Sequence, residues 1–161
     1  MFARGRGGAG VRWLSFGEKT EHPEALRVDI RPVADMVADI RQLVFADEEF
    51  DGVECLVVIE HLHRSEASGA LRELYRVLRP GGELIISTHD MEACARTLLA
   101  GNVSILVNIY SPHSEPAQRH RWGYTWETLH SLVAGAGFVD LERLPEADPH
   151  AMRARAKRPN A

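Results

Sequence analysis

A helix that ends abruptly beside a buried strand, within residues 71–87, constrains this chain more than any other feature. Apolar residues recur there at helical spacing and therefore share one face: Leu71, Leu74, Val77 and Leu78. Pro80 prevents the helix from continuing, and the glycine pair 81–82 permits a tight reversal into the apolar run 84–86. The segment therefore predicts one half of a helix-then-parallel-strand unit.

A nearly continuous apolar strand is typical of a sheet that is covered on both faces, so the chain is predicted to adopt an α/β fold. We expect strands at 11–16, 27–30, 35–38, 53–59 and 83–88, and a final antiparallel pair at 138–144 and 151–157. Helices are expected from Ser65 to 78, from Asp90 to about 101, and from Thr125 to 135–137. Residues 103–124 fit no regular pattern. The prediction is a doubly wound, mostly parallel, Rossmann-like sheet with an antiparallel C-terminal strand.

The N-terminal half of this fold is predicted to be abbreviated. Only nine residues, 18–26, separate Gly17 from the predicted second strand. This connection is too short for a normal crossover helix. Residues 1–10 are rich in glycine and arginine and are expected to form a flexible tail. Residues 11–161 are expected to form a single domain.

The amino-acid composition indicates which binding partners and which cellular compartment to expect. A formal net charge of −4 gives no global electrostatic reason to bind nucleic acid, although the run 153–158 is locally basic. Cys55 and Cys94 are two thiols without metal-ligand spacing, which favours a reduced, cytoplasmic protein. No apolar stretch approaches the roughly 20 residues needed to cross a bilayer, so no membrane partner is expected.

Three segments resemble class I S-adenosylmethionine (SAM)-dependent methyltransferases, especially the small methyltransferase type 11 group. The run 76–82, Arg-Val-Leu-Arg-Pro-Gly-Gly, resembles the family's junction between a helix and the fifth strand. The residues Glu60-His61-Leu62 resemble its fourth strand and following loop, and 120–138 resembles its late helix and sixth strand. The resemblance covers roughly residues 11–158, in the family's order, and it implies SAM as the cofactor and methyl transfer as the activity.

In a doubly wound sheet the ligand lies beyond the C-terminal ends of the strands, so the residues that end strands are the candidate site. By the resemblance, Gly17 admits the methionine end of SAM, and Asp29, followed by Ile30, holds the ribose hydroxyls. The resemblance places Asp39 near the adenine amino group and the amide of Ile40 near a ring nitrogen. The alternative for Asp29 is a turn before Arg31-Pro32, and the alternative for Asp39 is the cap of a short helix.

The fourth strand leads to Glu60 and His61. Methyl transfer depends mainly on alignment of nucleophile, methyl and sulfur, and a base matters only if the nucleophile starts protonated. His61 is the candidate base, with a loop-ordering role as the alternative, and Glu60 is assigned to cofactor contact or structure. An aromatic group could line an acceptor pocket or form a small hydrophobic cluster: Tyr110, Trp122, Tyr124 and Trp126.

One departure keeps other functions open. The family's first loop normally carries two or three glycines, whereas here Gly17 stands alone beside Phe16, Glu18 and Lys19. A non-catalytic binding or assembly module with the same fold is therefore the main alternative, with a homodimer as one way to cover the shortened half. A metal-dependent hydrolase is the second, with these candidate ligands: His61, His63, His89 and Asp90. The favoured interpretation assigns no metal site.

The methyl acceptor is the least constrained part of the prediction. A small-molecule or glycan-type acceptor is expected, without nucleic acid or membrane, because a cofactor site does not encode the second substrate.

Overall fold

The computed structural model describes residues 11–17, 20–112 and 114–160. The predicted flexible tail, 1–10, lies outside these residues, as do Glu18 and Lys19. Seven strands are present: β1 (Trp13–Phe16), β2 (Leu26–Asp29), β3 (Met36–Val37), β4 (Phe50–Leu56), β5 (Leu78–His89), β6 (Val139–Leu144) and β7 (Ala151–Lys157). The helices are α1 (Arg64–Val77), α2 (Met91–Leu99), α3 (Leu106–Tyr110) and α4 (Trp126–Gly135). Short 3₁₀ turns occupy Ile59–His61, Val103–Ile105 and Pro116–Gln118.

The strands form one sheet in the order β3-β2-β1-β4-β5-β7-β6. The pairs from β3 to β5 are parallel, whereas β7 is antiparallel to both β5 and β6. The chain therefore starts in the middle of the sheet, builds one edge, and returns to β4 on the other side of β1. This confirms the predicted doubly wound, mostly parallel sheet with an antiparallel C-terminal strand, and it places a topological switch point between β1 and β4.

Helices α1 and α4 cover one face of the sheet. The buried residues of α1 recur at helical spacing: Ala67, Ala70, Leu71, Leu74 and Val77. They form one core cluster with alternate residues of the central strands, such as Leu14, Val53 and Ile86, and with Leu129 and Val133 of α4. The Glu66 carboxylate accepts a hydrogen bond from the His63 amide at 3.0 Å, which closes the N-terminal turn of α1. The apolar periodicity in the sequence thus corresponds to this interface.

The opposite face of β4 carries a buried charge. Glu54 is fully buried there and accepts hydrogen bonds from the Thr20 hydroxyl at 2.6 Å and the Glu21 amide at 3.1 Å. Nδ1 of His22 lies 2.6 Å from the same carboxylate, and the His22 ring stacks on Trp13 with centroids 3.4 Å apart. Residues 20–25, between β1 and β2, contain no helix. Polar contacts from this short connection therefore cover Glu54, which agrees with the predicted abbreviated N-terminal half.

The first three strands differ from their predicted bounds by one or two residues, and the larger differences lie in the fourth strand, the fifth strand and the segment before the last helix. The fourth strand is Phe50–Leu56 rather than 53–59, because Val57 adopts a left-handed φ of 56° and ends it. The fifth strand begins at Leu78 rather than 83, since Leu78 already pairs with Phe50 and a register shift accommodates the residues that follow. The segment 103–124, predicted to be irregular, contains α3 and two 3₁₀ turns.

The first long helix starts at Arg64 after His63, so the expected cap, Ser65, already lies inside it. By contrast, Asp90 and Thr125 cap α2 and α4 as predicted, since each side chain accepts a hydrogen bond from the first turn of its helix. Among the described residues, none of the helices has the length and apolarity that crossing a bilayer requires.

The buried carboxylate of Glu54 makes the stability of the fold depend on pH. Burial by itself raises the pKa of Glu54, but hydrogen bonds from Thr20 and His22 outweigh it and bring the pKa below the ordinary value of 4.5. A lowered pKa in the folded state stabilises the fold above the unfolded-state pKa, and this contribution is lost as pH falls through the folded-state pKa. We expect Glu54→Gln to lower the free energy of unfolding at pH 7 by about 1–3 kcal/mol.

Denaturant unfolding of both proteins between neutral and acidic pH measures this effect. The difference between wild type and Glu54→Gln should shrink as pH falls below 4.5. Glu24→Gln, an exposed change in the same connection, is the matched control and should unfold like wild type at every pH. A Glu54→Gln difference that is absent at pH 7, or that does not change with pH, contradicts this role.

Candidate functional site

A cleft of about 940 Å³ lies where the parallel strands end at their C-terminal edge. Five of the seven predicted site residues line it: Gly17, Asp29, Ile30, Ile40 and His61. They follow β1, β2, β3 and β4, so the topology brings together residues that are separate in sequence. The remaining two, Asp39 and Glu60, are not among the lining residues.

Gly17 is required at its position by the close approach of two strand ends. Its φ is +111°, and a Cβ atom there would lie well inside van der Waals contact distance of the Leu56 carbonyl oxygen. Any side chain would push the end of β1 away from the end of β4. The single glycine of this loop therefore stands where the sheet's switch point opens into the cleft.

The predicted ribose ligand, Asp29, is already paired with the guanidinium group of Arg31. Oδ1 accepts from the Arg31 amide at 2.8 Å and from Nε at 3.0 Å, while Oδ2 accepts from Nη2 at 2.9 Å. Burial acts to raise the pKa of Asp29, but these hydrogen bonds outweigh it, so the pKa is lowered. Asp29 is thus held as a carboxylate at the cleft wall, with part of its accepting capacity taken by Arg31.

Asp39 repeats the same local arrangement. Arg41 donates from Nε and Nη2 to the Asp39 carboxylate, and these hydrogen bonds lower its pKa. Arg41 also reaches Glu66 at 2.6 Å. No helix follows Asp39, which forms an isolated bridge with Gln42, so the helix-cap alternative is wrong. Its neighbour Ile40 is buried and lines the cleft.

Glu60 lies behind the cleft in an environment that disfavours its charge. Its side chain is 1% exposed, and neither carboxylate oxygen has a hydrogen-bond partner among the described residues. Burial raises the pKa of Glu60 to about 7, with a small opposing effect of its own amide and of the Thr88 hydroxyl, which lies outside full hydrogen-bond geometry. Glu60 is therefore poised between its two protonation states near neutral pH.

Three histidines surround this carboxylate. The ring centroids of His61 and His120 are 5.1 Å apart, and those of His89 and His120 are 4.8 Å apart. Nε2 of His89 lies 3.9 Å from Glu60. Burial, aided by His120, lowers the pKa of His89 to about 4, so His89 is neutral at pH 7. All three rings line the cleft.

Sequence reasoning missed His120 as a site residue. It lies in the segment that precedes α4, far from His61 along the chain, and its only signal was its place in the resemblance. Backbone contacts fold this segment over the site: the Arg121 amide donates to the Glu60 carbonyl at 2.8 Å. Nδ1 of His120 contacts the Asn108 carbonyl at 2.8 Å, which sets the orientation of the ring.

The ligand set considered for a hydrolase does not assemble. Asp90 caps α2 and pairs with Arg143 at 2.7 Å, and His63 lies beside Arg121 with its Nε2 3.1 Å from Nη1. Of that set, His61 and His89 line the cleft, whereas His63 and Asp90 do not. This arrangement gives no support to a metal centre built from those four residues.

None of the four aromatic residues singled out in the sequence lines the cleft. Tyr124 is buried in the main core, and Tyr110 is mostly exposed. Arg64 lies over the Trp122 ring and Arg143 over the Trp126 ring. Their positions favour packing and surface roles over an acceptor pocket.

Known methyltransferases resemble this chain in sequence and in fold. Residues 15–86 match the family model described as a methyltransferase domain. Over 113 residues the chain is 32% identical to the ubiquinone/menaquinone biosynthesis C-methyltransferase UbiE of Azotobacter vinelandii, covering 63% of this chain and 43% of that protein. It is 32% identical over 96 residues to the human probable tRNA methyltransferase 9B, covering 55% of this chain and 21% of that protein. The matches thus span less than half the length of these relatives.

Solved structures share the fold along almost the whole chain. A SAM-dependent methyltransferase from Methanosarcina mazei superposes with a TM-score of 0.67 at 14% identity, covering 93% of both chains. The N-methyltransferase NodS of Bradyrhizobium japonicum, solved with S-adenosylhomocysteine (SAH), gives a TM-score of 0.61 at 21% identity, covering 95% of this chain and 80% of that one.

The sequence match covers the strands that form the cleft, β1 to β5, and the structural match extends the same topology to the C-terminal strands. The chain therefore has the fold of SAM-dependent methyltransferases, and its strands β1 to β5 resemble the methyltransferase domain family in sequence.

Proposed function

We propose that this protein binds SAM in the cleft and transfers its methyl group to a small-molecule acceptor. The observation that carries the proposal is the meeting of Gly17, Asp29, Ile40 and His61 at one opening of the sheet. This is the edge where an open α/β sheet binds its ligand, at the switch point between β1 and β4.

Each cleft residue has a specific task in this proposal. The bare backbone of Gly17 admits the methionine end of SAM, and the Asp29 carboxylate accepts hydrogen bonds from the ribose hydroxyls. Ile30, which is 52% exposed, offers apolar surface beside the ribose. The amide of Ile40 faces the adenine ring, with the Asp39 carboxylate beside it.

His61 is proposed as the base that receives the acceptor's proton. Its Nδ1 lies 3.3 Å from the Arg119 carbonyl oxygen, which can only accept a hydrogen bond. Nδ1 therefore carries the ring hydrogen, and Nε2 carries the lone pair that a base requires. Glu60, buried behind His61, is assigned to the electrostatics of this wall rather than to direct cofactor contact.

The acceptor proposed is a small molecule or a glycan rather than a nucleic acid. Three arginines of the basic C-terminal run pair with acidic residues: Arg153 with Glu21, Arg155 with Glu142, and Arg158 with Glu48. These pairs leave little uncompensated positive charge for a phosphate backbone. A cytoplasmic location is part of the same proposal, supported by the buried free thiols of Cys55 and Cys94.

A second candidate function is a binding module that has lost catalysis, alone or as a homodimer. The pairing of Asp29 with Arg31 favours it, because ribose hydroxyls must share or displace the three hydrogen bonds that Arg31 donates. The two candidates differ in whether the cleft binds the cofactor.

Calorimetric titration with SAH separates them. We expect wild-type protein to bind SAH, and Asp29→Asn to bind it at least about tenfold more weakly, because the neutral amide accepts hydrogen bonds less strongly from the ribose. Asp35→Asn is the matched control, since Asp35 is outside the cleft and pairs with Arg27. Its affinity should equal that of wild type. Absence of heat with SAH and SAM at high concentration would support the binding module instead.

The proposed acceptor class is tested by a mobility-shift titration with unmodified transfer RNA at physiological salt. We expect no retained complex, since the basic strand is internally paired and the net charge is −4. Arg153→Glu should not alter the result. A salt-sensitive complex formed by wild type and lost in this variant contradicts a small-molecule acceptor.

A further inference from the structure

We propose that Glu60, His61 and His120 form a binding site for a divalent cation of the zinc class, in the wall of the cleft behind β4 and β5. Of these three residues, only His61 belonged to the ligand set considered for a hydrolase in the sequence analysis; Glu60 and His120 did not. The site stands on four observations: the distances, the histidine orientations, the unpaired carboxylate, and a third histidine nearby.

The ligand atoms are already close together. One atom each from Glu60, His61 and His120 lies within 4.8 Å of the others. Ligand atoms about 2.1 Å from a tetrahedral ion are about 3.4 Å apart, so a modest contraction of the three side chains completes the geometry. Two imidazoles and one carboxylate are a borderline N/O set, which suits zinc rather than magnesium or calcium.

Backbone carbonyls orient both histidines for coordination. Nδ1 of His61 lies 3.3 Å from the Arg119 carbonyl, and Nδ1 of His120 lies 2.8 Å from the Asn108 carbonyl. Each carbonyl can only accept, so Nδ1 carries the hydrogen and Nε2 carries the lone pair that a metal uses. Such an outer hydrogen bond is the usual support of a metal-binding histidine.

The Glu60 carboxylate supplies an independent reason for a cation. It is 1% exposed, and both of its oxygens lack a hydrogen-bond partner among the described residues. Within the part of the chain that the structure describes, the neighbouring Thr88 and Tyr124 hydroxyls and Nδ1 of His89 are also buried without hydrogen bonds. Native structures leave few such groups, and their concentration around one carboxylate points to an ion with its water.

A third histidine, His89, lies at the edge of this set. Nε2 of His89 is 3.9 Å from Oε1 of Glu60, and its ring is 4.8 Å from that of His120. Three protein ligands leave a coordination position for water or for an acceptor, and His89 lies beside that position. This step rests on the proposed methyl transfer: with the ion bound, the Nε2 lone pair of His61 would be used in coordination, and the ion would lower the pKa of an acceptor hydroxyl in place of His61 acting as the base.

Zinc titration of the chelator-stripped protein, prepared without a polyhistidine tag, tests the site. We expect wild type to bind one equivalent of Zn²⁺, and His120→Ala to bind it at least about tenfold more weakly. His130→Ala is the matched control, because His130 is exposed on α4, where its ring contacts Trp126. It should bind Zn²⁺ like wild type.

Two further measurements test whether the variants fold and whether a cysteine binds the metal. Circular dichroism of the metal-free variants establishes that they fold, and Glu60→Gln provides a second, nearly isosteric variant that should also bind more weakly. Co²⁺ in wild type should give visible bands without a thiolate charge-transfer band, since no cysteine belongs to the site. A thiolate band, no zinc binding by wild type, or equal binding by His120→Ala overturns the proposal. SAH titration of the same metal-free protein reports on the proposed function separately.

Discussion

The contact between Gly17 and the Leu56 carbonyl is the constraint on which the cleft depends. It is formed where β1 and β4 lie side by side in the sheet, although a long stretch of chain separates them. Because Gly17 has no side chain, the two strand ends stay together and the space beyond them stays open to a ligand. The positions of Asp29, Ile40 and His61 around that space follow from the parallel order of their strands.

The short connection between β1 and β2 has a physical consequence for the opposite face of the sheet. A crossover helix there would cover β4 with apolar side chains, whereas residues 20–22 cover it with hydrogen bonds to Glu54. A buried carboxylate is tolerated because three groups satisfy it. Glu60, in the turn that follows the same strand, is buried and has no such partners among the described residues, and this contrast separates a structural acid from a candidate site residue.

Local features of the fold were predictable, and features that depend on distant contacts were not. The helix α1 and strand β5 follow from apolar periodicity and Pro80, and Gly17, Asp29 and His61 follow from the rule that strand ends make the site. Periodicity could not place the end of β4, because Val57 continues the apolar run while its backbone turns left-handed. His120 reaches the site through Asn108 and Glu60 contacts that no spacing encodes.

The pairing of Arg31 and Arg41 with nearby aspartates was predictable from the sequence only in part. Arg31 and Arg41 each stand two residues after an aspartate that the resemblance assigns to the cofactor, so their pairing is local and visible in the sequence. The structure adds that Arg31 binds both oxygens of Asp29, and this makes cofactor affinity the point on which the account depends. Amide NMR of labelled protein titrated with SAH tests it most directly. The account predicts the largest shifts at Gly17, Asp29 and Ile40, with amides of β6 unchanged; shifts confined to other regions, or none at saturating SAH, would contradict it.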